Sequence, residues 1–304
     1  MVNVFNYGNI NTVEFGVCID TDDGEKHFLI PIDNNVKNAL KEMLLATREA
    51  LGLTQSNARL DTYQPSEKYA SVERLTTPLD DSSHEKLKEI YNATNIPTDP
   101  DSLNEPAAIV YYFSIFHDRN QNKLFAIKKA TQFRGIVKSR KFIVQFINET
   151  LKIVEDKIFR LDRDFDYYIC DNTIFILRVN AFESTSDMIG SILAKASENA
   201  QDLGRSIKFL ECQGIADFVL KHTRAARILA SIRSRKDLAK TSLTKLKKEC
   251  NANKIKIKQH KGKIFPEPGY ELDFLQMLDR RRFNVALTDD GLEYFEATGR
   301  RNVS

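Results

Sequence analysis

Asp162, Asp164 and Asp166 stand at i, i+2 and i+4. On a strand that spacing puts all three carboxylates on one face, where hard oxygen ligands can hold Mg²⁺. A metal-dependent nuclease of the restriction type also needs an E-x-K-like pair on the next strand. The run that follows, Thr173 to Val179, offers only Arg178. The expectation is therefore that Asp162 and Asp164 are turn residues and that Asp166 pairs with a nearby arginine. A Mg²⁺ nuclease using the three aspartates stays as the alternative. Elsewhere, catalytic signals are sparse. His27, His84, His117, His222 and His260 are scattered, and no HExxH, GxSxG or GxxxxGK[ST] occurs. Cys18, Cys170, Cys212 and Cys250 form no CxxC pattern and read as reduced, mostly buried thiols. The chain thus reads as a non-enzyme, with no catalytic residue, metal or cofactor assigned.

The denser signal is cationic. The net charge of +3 hides a division: residues 1–110 hold 9 Lys and Arg against 18 Asp and Glu. Between Lys221 and Lys263 there are 15 basic residues and two acids, Asp237 and Glu249. Each Lys or Arg that contacts a phosphate releases condensed counterions, so such a segment binds a nucleic-acid backbone without reading its sequence. The expected contacts are Lys128, Lys129, Arg134, Lys138, Arg140 and Lys141, then Lys221, Arg224, Arg227, Arg235, Lys236, Lys245, Lys247, Lys248, Lys254, Lys256 and Lys258. Charge reversal at Arg224, Arg227, Lys247 and Lys248 is the expected disabling change. Two other readings stand beside this one. The charges are solvated faces or dock on the acidic residues of a second copy, or they meet anionic lipid in a membrane-surface adaptor.

These residues need elements to carry them. Thr12–Asp20 and Lys26–Ile32 read as a hairpin about Asp23-Gly24, followed by a helix from Asp33 to Leu51 that Asp33 caps and Gly52 ends. A short helix is expected over Ser82–Ala93, and Ile96–Asp101 reads as a boundary loop. Ala107–Phe116 and Lys123–Phe133 read as strands, as do Lys141–Ile147 and Lys152–Leu161. The runs flanking Asp171-Asn172 read as a hairpin. Phe182–Gln201 and Gly214–Arg233 read as helices. On the second, His222 falls in the apolar stripe and reads as a core histidine, while Lys221, Arg224 and Arg227 share the opposite arc. Ser234 is placed to cap a further helix, and Lys254–Lys258 alternates as a strand with lysines on one face. A helix follows over Tyr270–Leu278, and a strand around Phe283–Leu287. A helix-turn-helix across 213–250 is the weakest of these signals.

At 304 residues the chain suits one large or two smaller domains. The expected fold is α+β: a small acidic hairpin-plus-helix domain at 1–100, and a larger domain at 101–304 with an antiparallel sheet and basic helices. The longest apolar run, near Ala107–Phe116, is far short of the ~20 residues a membrane helix needs. The first residues lack the basic and apolar regions of a secretory signal. A cytoplasmic protein is expected, with a homodimer as the default assembly or else a higher homo-oligomer.

Three short stretches carry a resemblance. They are Phe159-Arg160-Leu161-Asp162 with Phe165-Asp166-Tyr167-Tyr168-Ile169, then Ile174-Phe175-Ile176-Leu177 with Ala181-Phe182-Glu183, and Phe274–Asp279 with Ala286-Leu287-Thr288. Over roughly residues 105–290 the chain resembles the KwaB-like family of the Kiwa antiphage defence system. The resemblance implies a DNA-binding effector that acts on phage DNA without cutting it. It also implies a small membrane-spanning KwaA-like partner, which would recruit the protein to the inner face of the inner membrane. No catalytic residue is carried over. Phe165, Asp166, Phe182 and Glu183 look structural.

Overall fold

A computed structural model describes residues 5–54, 60–67, 69–70, 72–99, 109–130, 144–147, 150–153, 161–233, 235–285 and 293–297. The chain is α+β and divides into two compact units. Unit 1 takes residues 1–62 and 71–186, and unit 2 takes 63–70 and 187–304. The expected boundary near residue 100 thus falls inside unit 1, where strands from both sides of it share one sheet.

The sheet of unit 1 starts from local chemistry. β1 (Ile10–Thr21) and β2 (Gly24–Ile30) close about Asp22-Asp23, with Gly24 at φ +103°. Helix α1 (Asn34–Ala50) follows, and Asp33 accepts the Val36 N–H at 2.8 Å as its cap. β3 (Asp61–Thr62) and β4 (Leu75–Pro78) precede a 3-10 turn at Ser82–His84 and α2 (Glu85–Asn92). β5 (Ile109–Asp118) and β6 (Lys123–Lys129) are buried almost throughout, because both faces of the sheet are covered. β7 (Val144–Ile147) and β8 (Thr150–Ile153) form a separate two-stranded ladder. β9 (Tyr167–Cys170) and β10 (Thr173–Ile176) turn at Asp171 and Asn172, both with positive φ. α3 (Val179–Thr185) ends the unit. The sheet order is β2-β1-β5-β6-β9-β10-β4-β3, antiparallel except for β3 on β4.

On one face, Val13, Phe15 and Val17 alternate along β1 and join Tyr112, Phe116, Tyr168 and the α1 residues Leu40, Met43 and Leu44 in one core. The other face is aromatic: Phe113 stacks on Phe125 at 5.1 Å, and Tyr167 meets Phe182 of α3 edge-on at 5.3 Å. Each such fully buried ring contributes roughly 1.5–3 kcal/mol. Gly16 belongs to this face because a Cβ there would lie 2.3 Å from the Phe113 ring and 2.6 Å from the Phe28 carbonyl oxygen.

Unit 2 is mainly helical. α4 (Met188–Ala194), α5 (Ala196–Ser206), α6 (Gln213–Val219) and α9 (Glu271–Leu278) pack on α7 (Thr223–Arg233), whose residues from Ala225 to Ile232 are buried apart from Arg227. A 3-10 turn at Lys236–Lys240 leads to α8 (Leu243–Ala252). Two hairpins complete it: β11 (Ile257–His260) with β12 (Lys263–Pro266), and β13 (Arg282–Val285) with β14 (Glu293–Glu296). The segment at 63–70 is bonded into this unit. Ser66 donates to Asp279 at 3.2 Å and accepts from Arg281 at 2.8 Å, its N–H reaches Ser231 at 3.3 Å, and the Pro65 carbonyl accepts from Arg227 at 3.0 Å.

Four local expectations change. The helix expected over Gly214–Arg233 is two, broken at Leu220–His222 by hydrogen bonds of the i to i+3 type. His222 is consequently exposed, its ring tilted against Phe218 at 4.1 Å between ring centres, and not in the core. The Phe182–Gln201 helix is broken into α3, α4 and the start of α5, with Asp187 left-handed at a break. The helix expected after Ser234 starts later, because Ser242 caps α8 by accepting the Lys245 N–H at 3.2 Å. Ser234 lies outside the described residues. The strand expected from Lys254 begins only at Ile257, since Lys254 is left-handed at φ +57° and Ile255 is buried.

Candidate nucleic-acid interface

The basic segment of unit 2 surrounds a cleft of about 600 Å³. The 3-10 turn contributes Lys240, α8 contributes Lys245, and the chain leaving α9 contributes Arg280, Arg282 and Phe283. Arg235 completes five basic residues, against the two acids Asp237 and Glu249. Asp237 organises the rim, accepting from Arg235 at 3.0 Å and from Arg280 at 2.7 Å. Hydrogen bonding from Arg235, opposed by slight desolvation and aided by the Arg280 charge, holds the Asp237 carboxyl below its usual range. Arg235 also donates to the Leu278 carbonyl, and Arg282 pairs with Asp273 at 2.6 Å. Lys240, Lys245 and Lys248 are exposed and enter none of the ion pairs made among the described residues. Phe283, which lines the cleft with Lys240 and Lys245, stacks on Phe295 at 5.5 Å, with the rings 46 % and 42 % exposed. Cations flanking an exposed aromatic face can neutralise phosphates and stack a base.

The other expected contacts are dispersed. On α8, Lys247 donates to Gln259 at 2.6 Å. Lys254 lies over the Tyr294 ring at 4.1 Å and Lys256 over Tyr270 at 5.8 Å, while Lys258 is exposed on β11. Lys221 is exposed, whereas Arg224 is paired with Glu296 and Arg227 is tied to Pro65. Arg224 and Arg227 line a different cavity, of about 330 Å³. The side chain of Lys236 and all of Arg134, Lys138, Arg140 and Lys141 lie outside the described residues. In unit 1, Lys129 is half-buried. Lys128 is a correction: it is 8 % exposed and bound to Asp166 at 3.0 Å and Asp164 at 3.3 Å, so its charge is compensated inside the unit. Lys240, Arg280, Arg282 and Phe283 were absent from the sequence-based set. The Arg280-Arg281-Arg282-Phe283 run was the available signal.

The three aspartates are tied into the protein. Asp166 is 3 % exposed and accepts from Lys128, from the Lys129 N–H at 2.8 Å and from Arg178 at 3.0 Å. Asp164 pairs with Arg178 at 2.7 Å. Burial opposes its ionisation, but Arg178 and Lys128 outweigh burial and hold its carboxyl below the usual range. Asp162 accepts the Tyr112 hydroxyl at 3.4 Å. The expected Asp166–arginine pair is therefore present, with Arg178 as the partner.

No curated protein and no solved structure matches the chain. The family model described as Kiwa protein KwaB-like matches residues 108–288, well over half of the chain. That span runs from β5, through the aspartate–arginine network and α7, to the cleft residues of β13. The chain belongs to the Kiwa protein KwaB-like family, a family of antiphage defence.

Proposed function

We propose that the protein serves antiphage defence by binding phage DNA through its backbone, with little sequence preference and without cutting it. The observation that carries this reading is the cleft of unit 2, where five basic side chains stand beside an exposed phenylalanine pair. The proposed partners are DNA, a KwaA-like membrane protein and further copies of the chain. No helix among the described residues is long and apolar enough to cross a membrane. A site at the membrane would then come through the partner. The nuclease alternative is weaker, because Lys128 and Arg178 already pair with Asp164 and Asp166.

The test is a titration of plain duplex DNA at several salt concentrations, with and without Mg²⁺. Log affinity should fall linearly with log salt, and the DNA should stay intact. Lys240→Glu, Lys245→Glu and Lys248→Glu together should lower the magnitude of the slope by about 0.9 per lost contact, hence about 2.7. This set keeps Lys248 and replaces Arg224, Arg227 and Lys247, since those arginines are engaged within unit 2 and Lys247 donates to Gln259. An unchanged slope removes the cleft from the interface. Salt-insensitive or absent binding at low salt overturns the reading, and Mg²⁺-dependent nicking transfers it to the nuclease.

A further inference from the structure

The register of the first hairpin sets Cys18 of β1 opposite His27 of β2. Glu25 lies two residues before His27 and so shares its face. The Cys18 thiol donates to one Glu25 oxygen at 3.2 Å, and Lys86 donates to the other at 2.8 Å. On β5, Tyr111 lies opposite Cys18, and its hydroxyl is 2.6 Å from His27 Nε2. One ligand atom each from Cys18, Glu25 and His27 can be chosen so that all lie within 4.8 Å of one another. Cys18 is fully buried, while Glu25 and His27 line an open cavity of about 540 Å³ together with Lys86, Ile96 and Pro97.

The geometry points to a divalent-metal site of the zinc type, held by the Cys18 sulfur, a ring nitrogen of His27 and a Glu25 oxygen, with its fourth position on the cavity. Thiolate, imidazole and carboxylate are the donors zinc takes, and three protein ligands with one open position are the arrangement of its reactive sites. Metal–ligand bonds of about 2.0–2.3 Å at tetrahedral angles put ligand atoms roughly 3.3–3.6 Å apart. The three atoms, all within 4.8 Å of one another, therefore need to close by roughly 1.5 Å at most. Glu25 is exposed at the hairpin end and can supply that movement. Burial first, then the Glu25 charge, pushes the Cys18 thiol far up, so the metal-free sulfur keeps its proton. Binding would release that proton to solvent and free Lys86 from Glu25. Tyr111 fixes the imidazole, as outer partners of metal-bound histidines do. The inference does not depend on DNA binding.

The test uses the full chain, stripped with a chelator, and titrates Zn²⁺ or Co²⁺ alone. One equivalent should bind, and the Co²⁺ form should show a thiolate charge-transfer band. His27→Gln and Glu25→Gln should weaken binding by more than the roughly 10–100-fold typical of losing an outer partner, and Tyr111→Phe should fall in that range. Cys170→Ala should bind as the parent does. Cys18→Ala removes a fully buried group, so circular dichroism checks its fold. If it fails to fold, the parent's Co²⁺ spectrum and Glu25→Gln still decide. Absence of binding, a Co²⁺ spectrum without the thiolate band, or full affinity in folded Glu25→Gln and His27→Gln overturns the site.

Discussion

Asp166→Ala should destabilise the protein by about 3–5 kcal/mol, the usual cost of removing one partner of a buried charge pair. The size follows from what is stranded. Lys128, 8 % exposed, loses its 3.0 Å partner and keeps only Asp164 at 3.3 Å. The Lys129 N–H loses a 2.8 Å acceptor, and Arg178 loses one of its two carboxylates. For a protein with a typical stability of about 5–15 kcal/mol, that is a large share. The chain has no Trp and 10 Tyr, so urea unfolding would be followed by tyrosine emission and circular dichroism. The midpoint should fall with little change in m. Adding Lys128→Met should recover part of the loss, because a pair replaced by apolar groups leaves no stranded ion. A loss under about 1 kcal/mol, or a double variant as costly as the two single changes added, would refute the structural role of the network. If Asp166→Ala kept full stability but abolished a Mg²⁺-dependent cleavage, the carboxylate would instead be a metal ligand.

Other changes test neighbouring claims. Asp164 has a depressed carboxyl pKa, so its contribution is complete above the unfolded value of about 3.9 and is lost as pH falls through the lower folded value. Asp164→Asn should therefore flatten the acid limb of a stability–pH profile, and an unchanged limb would contradict the pairing with Arg178. Phe283→Ala should weaken single-stranded DNA binding by about 1–3 kcal/mol if the ring stacks a base. Equal affinity by fluorescence anisotropy would confine the cleft to phosphate contact. Gly16→Ala should cost at least the roughly 1–3 kcal/mol of an overpacked core, since its Cβ meets both the Phe113 ring and backbone. A melting temperature equal to that of the parent would show that β1 and β2 can separate there.

What the sequence revealed was local. Asp33 and Gly52 bound α1 because capping and left-handed termination are one-residue chemistry, and Asp171-Asn172 closes β9 on β10 for the same reason. The parallel pairing of β3 with β4 has no local signature, and β4's place beside β10 depends on a partner about a hundred residues away. At His222 the 3.6-residue period continues across a break, since periodicity does not register a phase slip between two short helices. The basic segment was legible as charge density. Which charges are already paired was not, as Arg224 with Glu296 and Lys128 with the aspartates make plain. The Cys18–Glu25–His27 cluster was in principle readable by folding the hairpin about Asp22-Asp23, which opposes residues 18 and 27.

The short segment around Ser66 sets the order in which the chain can be completed. As synthesis proceeds, it emerges more than two hundred residues before Arg281 and Asp279, the side chains it bonds. The helices of unit 2 therefore cannot reach their final hydrogen bonding until nearly the whole chain is made, and closure over so long a separation slows folding. A piece cut at the start of α4 would carry α7 and the cleft, yet would leave Arg227, Ser231 and Arg281 without the bonds that 65 and 66 supply. The chain is thus continuous in sequence but interleaved in assembly, and unit 2 is the part that a nascent or truncated chain leaves incomplete.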